Sequence, residues 1–315
     1  MGIIDTISAG FRLVTRRLWL LALPIALDLF LLFGPKLSAL PVITQLIDEQ
    51  IAAQSALQGG STEIGSAEMI ASLDELANDV LGRVNLFGLA AWTRLGFPNT
   101  MSSRPVDTAT DVVYTITSSG QMVLWQAAIL VLGLLFTTAF LVQVAQAIRE
   151  NHAEPAALVK HTIHSWLRLL ALFVPLGVGL VFGMTFLAMM PMGAGLLVLM
   201  ALMVAAVWAA IYLAFVPHAI TLAYESPLGA VNSSFGLVRH NLPQCVGMLA
   251  LVVLLRTGFG FIWGRMAMVS QWAALAAIVG CAYIGTSLTA ALFLFYRDRL
   301  AQLRQQQRTL RSLNL

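Results

Sequence analysis

The sequence predicts an all-α fold: a polytopic membrane helix bundle of about six transmembrane helices, built as three units of an interfacial helix plus a two-span hairpin, with an extracytoplasmic helical insertion. Three observations predict it. Of 315 residues, 59% are hydrophobic and only 10% are charged, whereas soluble domains carry about a quarter charged residues. Lipid can solvate such a surface; water cannot. Six apolar stretches are about as long as the ~20 residues a helix needs to cross the hydrocarbon core. Before three of them the same amphipathic pattern recurs.

The first stretch is 18–35, LWLLALPIALDLFLLFGP. Arg16 and Arg17 precede it as they would a signal peptide. It is longer than a typical h-region and no A-x-A site follows, so it is expected to be retained as a span. The others are 122–147, 167–188, 195–217, 242–263 and 272–296. Little more than MMPMG joins the third to the fourth, which implies a tight hairpin. The expected organisation is 1–36, interfacial helix and first span; 37–120, extracytoplasmic helical insertion; 121–297, the five-span remainder of the bundle; and 298–315, a basic cytoplasmic tail.

Cation placement sets the orientation. With the N-terminus inside, twelve cations fall on the cytoplasmic side: Arg12, Arg16, Arg17, Arg149, Lys160, Arg168, Arg239, Arg297, Arg299, Arg304, Arg308 and Arg311. Five fall outside: Lys36, Arg83, Arg94, Arg104 and Arg265. A multi-pass protein of a bacterial plasma (inner) membrane is expected, with both termini cytoplasmic. The insertion is acidic, with nine carboxylates. Ile43, Ile47 and Ile51 recur at helical spacing, as do Ile70, Leu73, Ala77, Val80, Val84 and Phe87. Two amphipathic helices joined by the GGSTEIGS turn are expected, then an irregular stretch around FPNTMSSRPVD.

The repeat begins with Ile7, Phe11, Val14 and Leu18. Val231, Phe235, Val238 and Leu242 reproduce it at a constant offset of 224. The letters agree as well, F-R-L-V-T-R-R-L beside F-G-L-V-R-H-N-L. Val159, Ile163, Trp166 and Leu170 follow the same stride before the third span. An apolar stripe faced by cations, directly preceding a span, suits a helix lying among lipid headgroups. Arg12, Arg16, Arg17, Lys160 and Arg239 are accordingly the expected headgroup-binding residues.

The stretch Ala230-Val231-Asn232-Ser233-Ser234-Phe235-Gly236-Leu237-Val238-Arg239-His240-Asn241 resembles the A-x-x-x-S-[FW]-x-L-V-[RK]-x-N pattern that precedes a span in the membrane domain associated with glycerophosphodiester phosphodiesterases and in related six-span bacterial proteins. The resemblance covers the third to sixth spans moderately and the N-terminus weakly, and leaves out 37–120. It implies a six-span architecture. It implies no activity, because the soluble barrel that carries that group's chemistry has no counterpart among these residues.

Two charges lie within spans. Asp28 is about 15 Å and Arg256 about 21 Å along their helices, at ~1.5 Å per residue. A charge there costs at least ~2.5–3.5 kcal/mol and should find a partner. An Asp28–Arg256 intramembrane charge pair is therefore expected, with Thr286, Ser287 or Thr289 as the alternative partner of Asp28. His161 and His164, with Glu150, Glu154 or Glu225, offer a weak metal-like grouping; interfacial imidazoles are the simpler reading, and no metal or cofactor is expected. Gly179 and Gly183 permit close helix approach. Cys245 and Cys281 read as small buried hydrophobes. No G-x-S-x-G, P-loop or H-E-x-x-H is present, and no catalytic residue is nominated. The expected function is a non-enzymatic membrane module that binds lipids, anionic ones above all, or a membrane or extracytoplasmic protein partner through 37–120, and no nucleic acid. The alternative is a transporter or transporter subunit using Asp28 and Arg256; an enzyme acting on lipid headgroups is a third reading.

Overall fold

A computed structural model describes residues 2–57, 84–91, 95–104, 112–149, 154–188, 190 and 192–313. The helices follow the apolar runs. They are α1 (Ile3–Arg16), α2 (Ala22–Phe33), α3 (Leu40–Leu57), α4 (Ser119–Arg149), α5 (Pro155–Ala188), α6 (Met192–Leu213), α7 (Val216–Ala223), α8 (Pro227–His240), α9 (Leu242–Ala267) and α10 (Gln271–Leu313). A 3₁₀ turn, Leu18–Leu21, links α1 to α2. Strands β1 (Lys36–Ser38) and β2 (Val113–Thr115) pair in parallel and clasp the two roots of the insertion. The expected all-α bundle is what forms.

Among the described residues, five helices are long and apolar enough to span a membrane: Ser119–Arg149, Pro155–Leu187, Ala194–Ala223, Leu242–Ala267 and Gln271–Gln305. They match the second to sixth expected spans. The first is the shorter apolar helix Leu18–Phe33. The fourth bends at Ala214 and Phe215, where α6 gives way to α7. Beyond the last span α10 continues unbroken to Leu313.

The repeat at offset 224 is built into the backbone. α1 and α8 are both 14 residues long and start and stop at equivalent positions. Gly2 (φ −69°, ψ 164°) and Ser226 (φ −65°, ψ 160°) enter them extended; Arg17 (φ −138°, ψ 61°) and Asn241 (φ −130°, ψ 35°) end them outside the helical region. Thr6, Gly10 and Val14 are buried, and so are their counterparts Ala230, Ser234 and Val238. α8 packs on the end of the span that precedes it, and α1 packs on α10, the last span. A Cβ on Gly10 would run into the backbone of Ser287 and Ala291 on α10. Ser234 Oγ donates to Tyr212 O at 2.6 Å and accepts from Phe215 N at 3.3 Å. The apolar stripe of α1 thus rests on α10. In the middle unit the stripe is simply the first part of α5.

α10 is the axis of the bundle. Its small residues Ala277, Ala282, Ala290 and Ala291, with Thr286, Ser287 and Thr289, are fully buried. Half of the most apolar part of α4 is also buried, whereas α5 and α6 are exposed almost throughout. That contrast fits helices whose remaining surface meets lipid.

Candidate functional site

Cys281, Gly285 and Thr289 stand one above another on α10 at steps of four residues, on a single helix face. Residues 95–104 lie along this row. A Cβ on Gly96 would come within 3.0 Å of Thr289 Oγ1, and one on Gly285 within 2.6 Å of Pro98 Cβ. Phe97 is buried edge-on to Phe140, with ring centroids 5.3 Å apart. Thr289 lies eighteen residues beyond Gln271, about 27 Å along the helix at ~1.5 Å per residue. Residues 37–120 were expected to be extracytoplasmic, yet this part of them descends deep into the bundle. Residues 84–91 descend too: a Cβ on Gly133 of α4 would meet the backbone of Ala90.

Irregular backbone survives at such depth only where protein supplies its hydrogen bonds. Asp28 and Arg256 do this. Asp28 is 0% exposed. Its carboxylate accepts from Asn99 Nδ2 at 2.6 Å, from Thr100 N at 3.1 and 3.2 Å, and from Met101 N at 3.1 Å. It therefore caps the 3₁₀ turn Met101–Ser103 from a different helix, placing negative charge where free N–H groups converge. Asn99 Oδ1 completes the cap by accepting from Ser102 N at 2.8 Å.

Arg256 holds the other end. Its Nη2 donates to Gly96 O at 2.9 Å, to Thr289 Oγ1 at 3.1 Å and to Gly285 O at 3.5 Å. Thr289 Oγ1 donates to the same Gly96 carbonyl at 2.6 Å. Gly96 has φ +99°, a conformation that only glycine adopts cheaply. The expected Asp28–Arg256 ion pair is thus not what satisfies Asp28. The physical reason is the segment between them, whose N–H groups demand a carboxylate at one end and whose carbonyl takes a guanidinium at the other. Thr289 serves Arg256 and Gly96 rather than Asp28.

The five expected headgroup residues divide. Arg12, Arg16, Lys160 and Arg239 are exposed. Arg17 is instead drawn inward, donating through Nη1 to Ala147 O. Other cations at this end behave like Arg17. Arg297 donates to Ile148 O at 3.1 Å, Arg149 to Thr221 O at 2.9 Å and to Leu222 O, and Arg168 to Tyr224 O at 2.8 Å. These carbonyls end α4 and α7, where a helix leaves acceptors open and its dipole favours cations.

His161 is also used structurally. Its Nε2 lies 3.0 Å from Thr221 O, and its ring is 4.0 Å from that of Tyr224. His164 Nδ1 lies 2.9 Å from Lys160 O of its own helix. Among the described residues, no three His, Cys, Asp or Glu side chains converge on one point. Among the described residues, Gly179 and Gly183 approach no other helix, since a Cβ on either would meet nothing within 4 Å.

Sequence reasoning missed Gly96, Asn99 and Trp263. Gly96-Phe97-Pro98-Asn99 carries the marks of a turn, but nothing in its composition says that the turn sits inside the bundle. The second insertion helix expected from Ile70 to Phe87, as far as residue 83, the GGSTEIGS turn, and Met189 and Pro191 of the link between the third and fourth spans lie outside the described residues. Asn85, at the end of that stretch, is extended (φ −83°, ψ 112°), and Leu86–Ala90 is a 3₁₀ turn. The first insertion helix forms as α3. No family model, curated protein or solved structure matches this chain.

Proposed function

We propose that this multi-pass membrane protein is a non-enzymatic module that binds anionic lipid. It sits in a bacterial inner membrane with both termini cytoplasmic, and the acidic 37–120 region is available to a protein partner. The observation that carries the reading is the division of cations at the terminus-bearing end. Arg17, Arg149, Arg168 and Arg297 are committed to helix carbonyls. Arg12, Arg16, Lys160 and Arg239 face outward, and they flank spans, where basic side chains attract anionic headgroups at about 1 kcal/mol each. Buried Asp28 and half-buried Arg256 are accounted for by the inserted segment, which removes them as evidence for acid–base chemistry. The test is flotation with vesicles of phosphatidylcholine alone or mixed with phosphatidylglycerol, using peptides or bilayer discs that present this end. Arg12→Ala, Arg16→Ala and Arg239→Ala together should weaken the preference for phosphatidylglycerol roughly a hundredfold or more. An unchanged preference would sink the reading.

A transporter or transporter subunit is the second reading. It draws support from a cavity of about 200 Å³ lined by Arg256, Trp263 and Cys281. Asp28 is not among the residues lining that cavity, which weakens an Asp/Arg coupling scheme. Solute flux in proteoliposomes that disappears in Thr289→Val would favour this second reading.

A further inference from the structure

The carboxylate that holds the inserted segment is itself held by it. Asp28 lies five residues before the end of α2 at Phe33, about 8 Å along the helix at ~1.5 Å per residue, and is fully buried. A buried charge is costly unless hydrogen bonds satisfy it. The donors that satisfy this one all belong to one stretch. Asn99 Nδ2, Thr100 N and Met101 N converge on Oδ1, and Thr100 N is shared with Oδ2.

The charged and titratable groups around Asp28 have other partners. Lys36, just beyond α2, donates to Leu31 O and Leu32 O. Arg256 of α9 donates to Gly96 O at the far end of the segment. Cys281 faces Asp28 from α10, with its thiol beside the Thr100 side chain. Within 95–104 the only charged residue is Arg104, which follows the turn and closes it through its backbone N–H on Met101 O.

The anion gives Asn99, Thr100 and Met101 charge-assisted hydrogen bonds, about twice as strong as neutral ones. A protonated carboxyl would offer neutral bonds and bring an O–H to face a row of donors. The Asn99 oxygen is already taken by Ser102 N at 2.8 Å. Asn99 also lines a cavity of about 200 Å³, together with Phe97, Pro98, Arg256 and Cys281.

We propose that protonation of Asp28 releases the Asn99–Met101 end of the inserted segment, which is therefore a strap that acid unfastens. The cavity brings water to the carboxyl and gives the segment room to shift. Arg256 and Thr289 keep their hold on Gly96 O, so the released end moves about that anchor. The linkage is reciprocal: fastening favours the anion as much as the anion favours fastening. Fastening is complete at high pH and is lost as pH falls. The proton acts as a ligand of the fold and passes to no substrate. The strap is independent of the headgroup reading, which rests on Arg12, Arg16, Lys160 and Arg239.

The test is hydrogen exchange, read by mass spectrometry on the full chain in phosphatidylcholine bilayer discs. It is scanned from about pH 8 to about pH 5 and corrected for the pH dependence of free-amide exchange. Protection of the Thr100, Met101 and Ser102 amides should fall roughly tenfold or more across the scan, while the amides of α10 stay protected. Asp28→Asn cannot titrate, so its protection at these amides should be lower than in wild type and flat with pH. Asn99→Ala keeps the carboxylate and removes one donor, so it should move the midpoint to higher pH, a shift that a purely structural Asn99 would not produce. It reads the strap even where Asp28→Asn fails to fold. Flat protection in wild type overturns the proposal. A pH step that survives in Asp28→Asn overturns it by placing the titrating group elsewhere. A midpoint unmoved or lowered in Asn99→Ala overturns it as well.

Discussion

Asp28 and Arg256 hold the two ends of one six-residue stretch, Gly96 to Met101, the carboxylate on its last N–H groups and the guanidinium on its first carbonyl. A buried acid and a half-buried base thus work together through the backbone between them. Each group's desolvation is offset by hydrogen bonds that the inserted segment could find nowhere else at that depth.

Asp28→Ala removes the acceptor from Asn99, Thr100 and Met101 at once. Charge-assisted hydrogen bonds contribute ~1.5–3 kcal/mol, and stranded donors add to the loss. The expected destabilisation is about 3 kcal/mol or more. Asp28→Asn keeps one acceptor oxygen and should cost about half as much. Thermal unfolding in detergent, followed by circular dichroism, distinguishes the two; equal losses would mean that the carboxylate does not carry the cap.

A direct ion pair would predict rescue when both charges are removed, since breaking one partner of such a pair strands the other. The geometry predicts none. Asp28→Asn with Arg256→Gln should be less stable than either single variant, because each removes a different anchor of the same segment. A double variant more stable than Arg256→Gln alone would restore the ion pair.

Thr289 joins Arg256 to Gly96. Thr289→Val keeps the shape and loses the hydroxyl, so Gly96 O keeps one donor instead of two. A loss of about 1–2 kcal/mol is expected, and Thr289→Ser should recover most of it. Gly96→Ala should cost about 1–3 kcal/mol through its positive φ alone, and more through contact with Thr289. A melting temperature unmoved by Gly96→Ala would show that the segment can leave this position.

Gly10 and Ser234 hold equivalent places in the repeat but differ in what a change would do. Gly10→Ala pushes a methyl into the backbone of α10, an overpacking expected to cost about 1–3 kcal/mol and to expose the N-terminus to protease. Ser234→Ala creates no clash; it removes a donor to Tyr212 O and an acceptor for Phe215 N, at about 1–2 kcal/mol. Limited proteolysis should cut near Arg12 and Arg16 in the first variant only.

The parts of this protein legible in its sequence are those set by local periodicity. Apolar runs located five long helices, although α5 begins twelve residues before the expected span at 167 and α10 runs on past 296 to Leu313, and the offset of 224 between Phe11 and Phe235 marked two helices that share length, ends and buried positions. Such features depend on which face of a helix is apolar, and that is written into neighbouring residues. The depth of Gly96-Phe97-Pro98-Asn99 is not local in this sense. It follows from the side chains of Asp28, Arg256 and Thr289 meeting that stretch from three different helices, across separations of 71 to 193 residues. The same holds for Arg17 and Arg12, both basic and five positions apart, one drawn onto a helix end and the other left outside. Sequence could say that a charge inside a span needs a partner, because desolvation makes that demand of any fold. Which partner answers it was decided by packing, because only the assembled bundle brings open backbone groups within reach of those two charges.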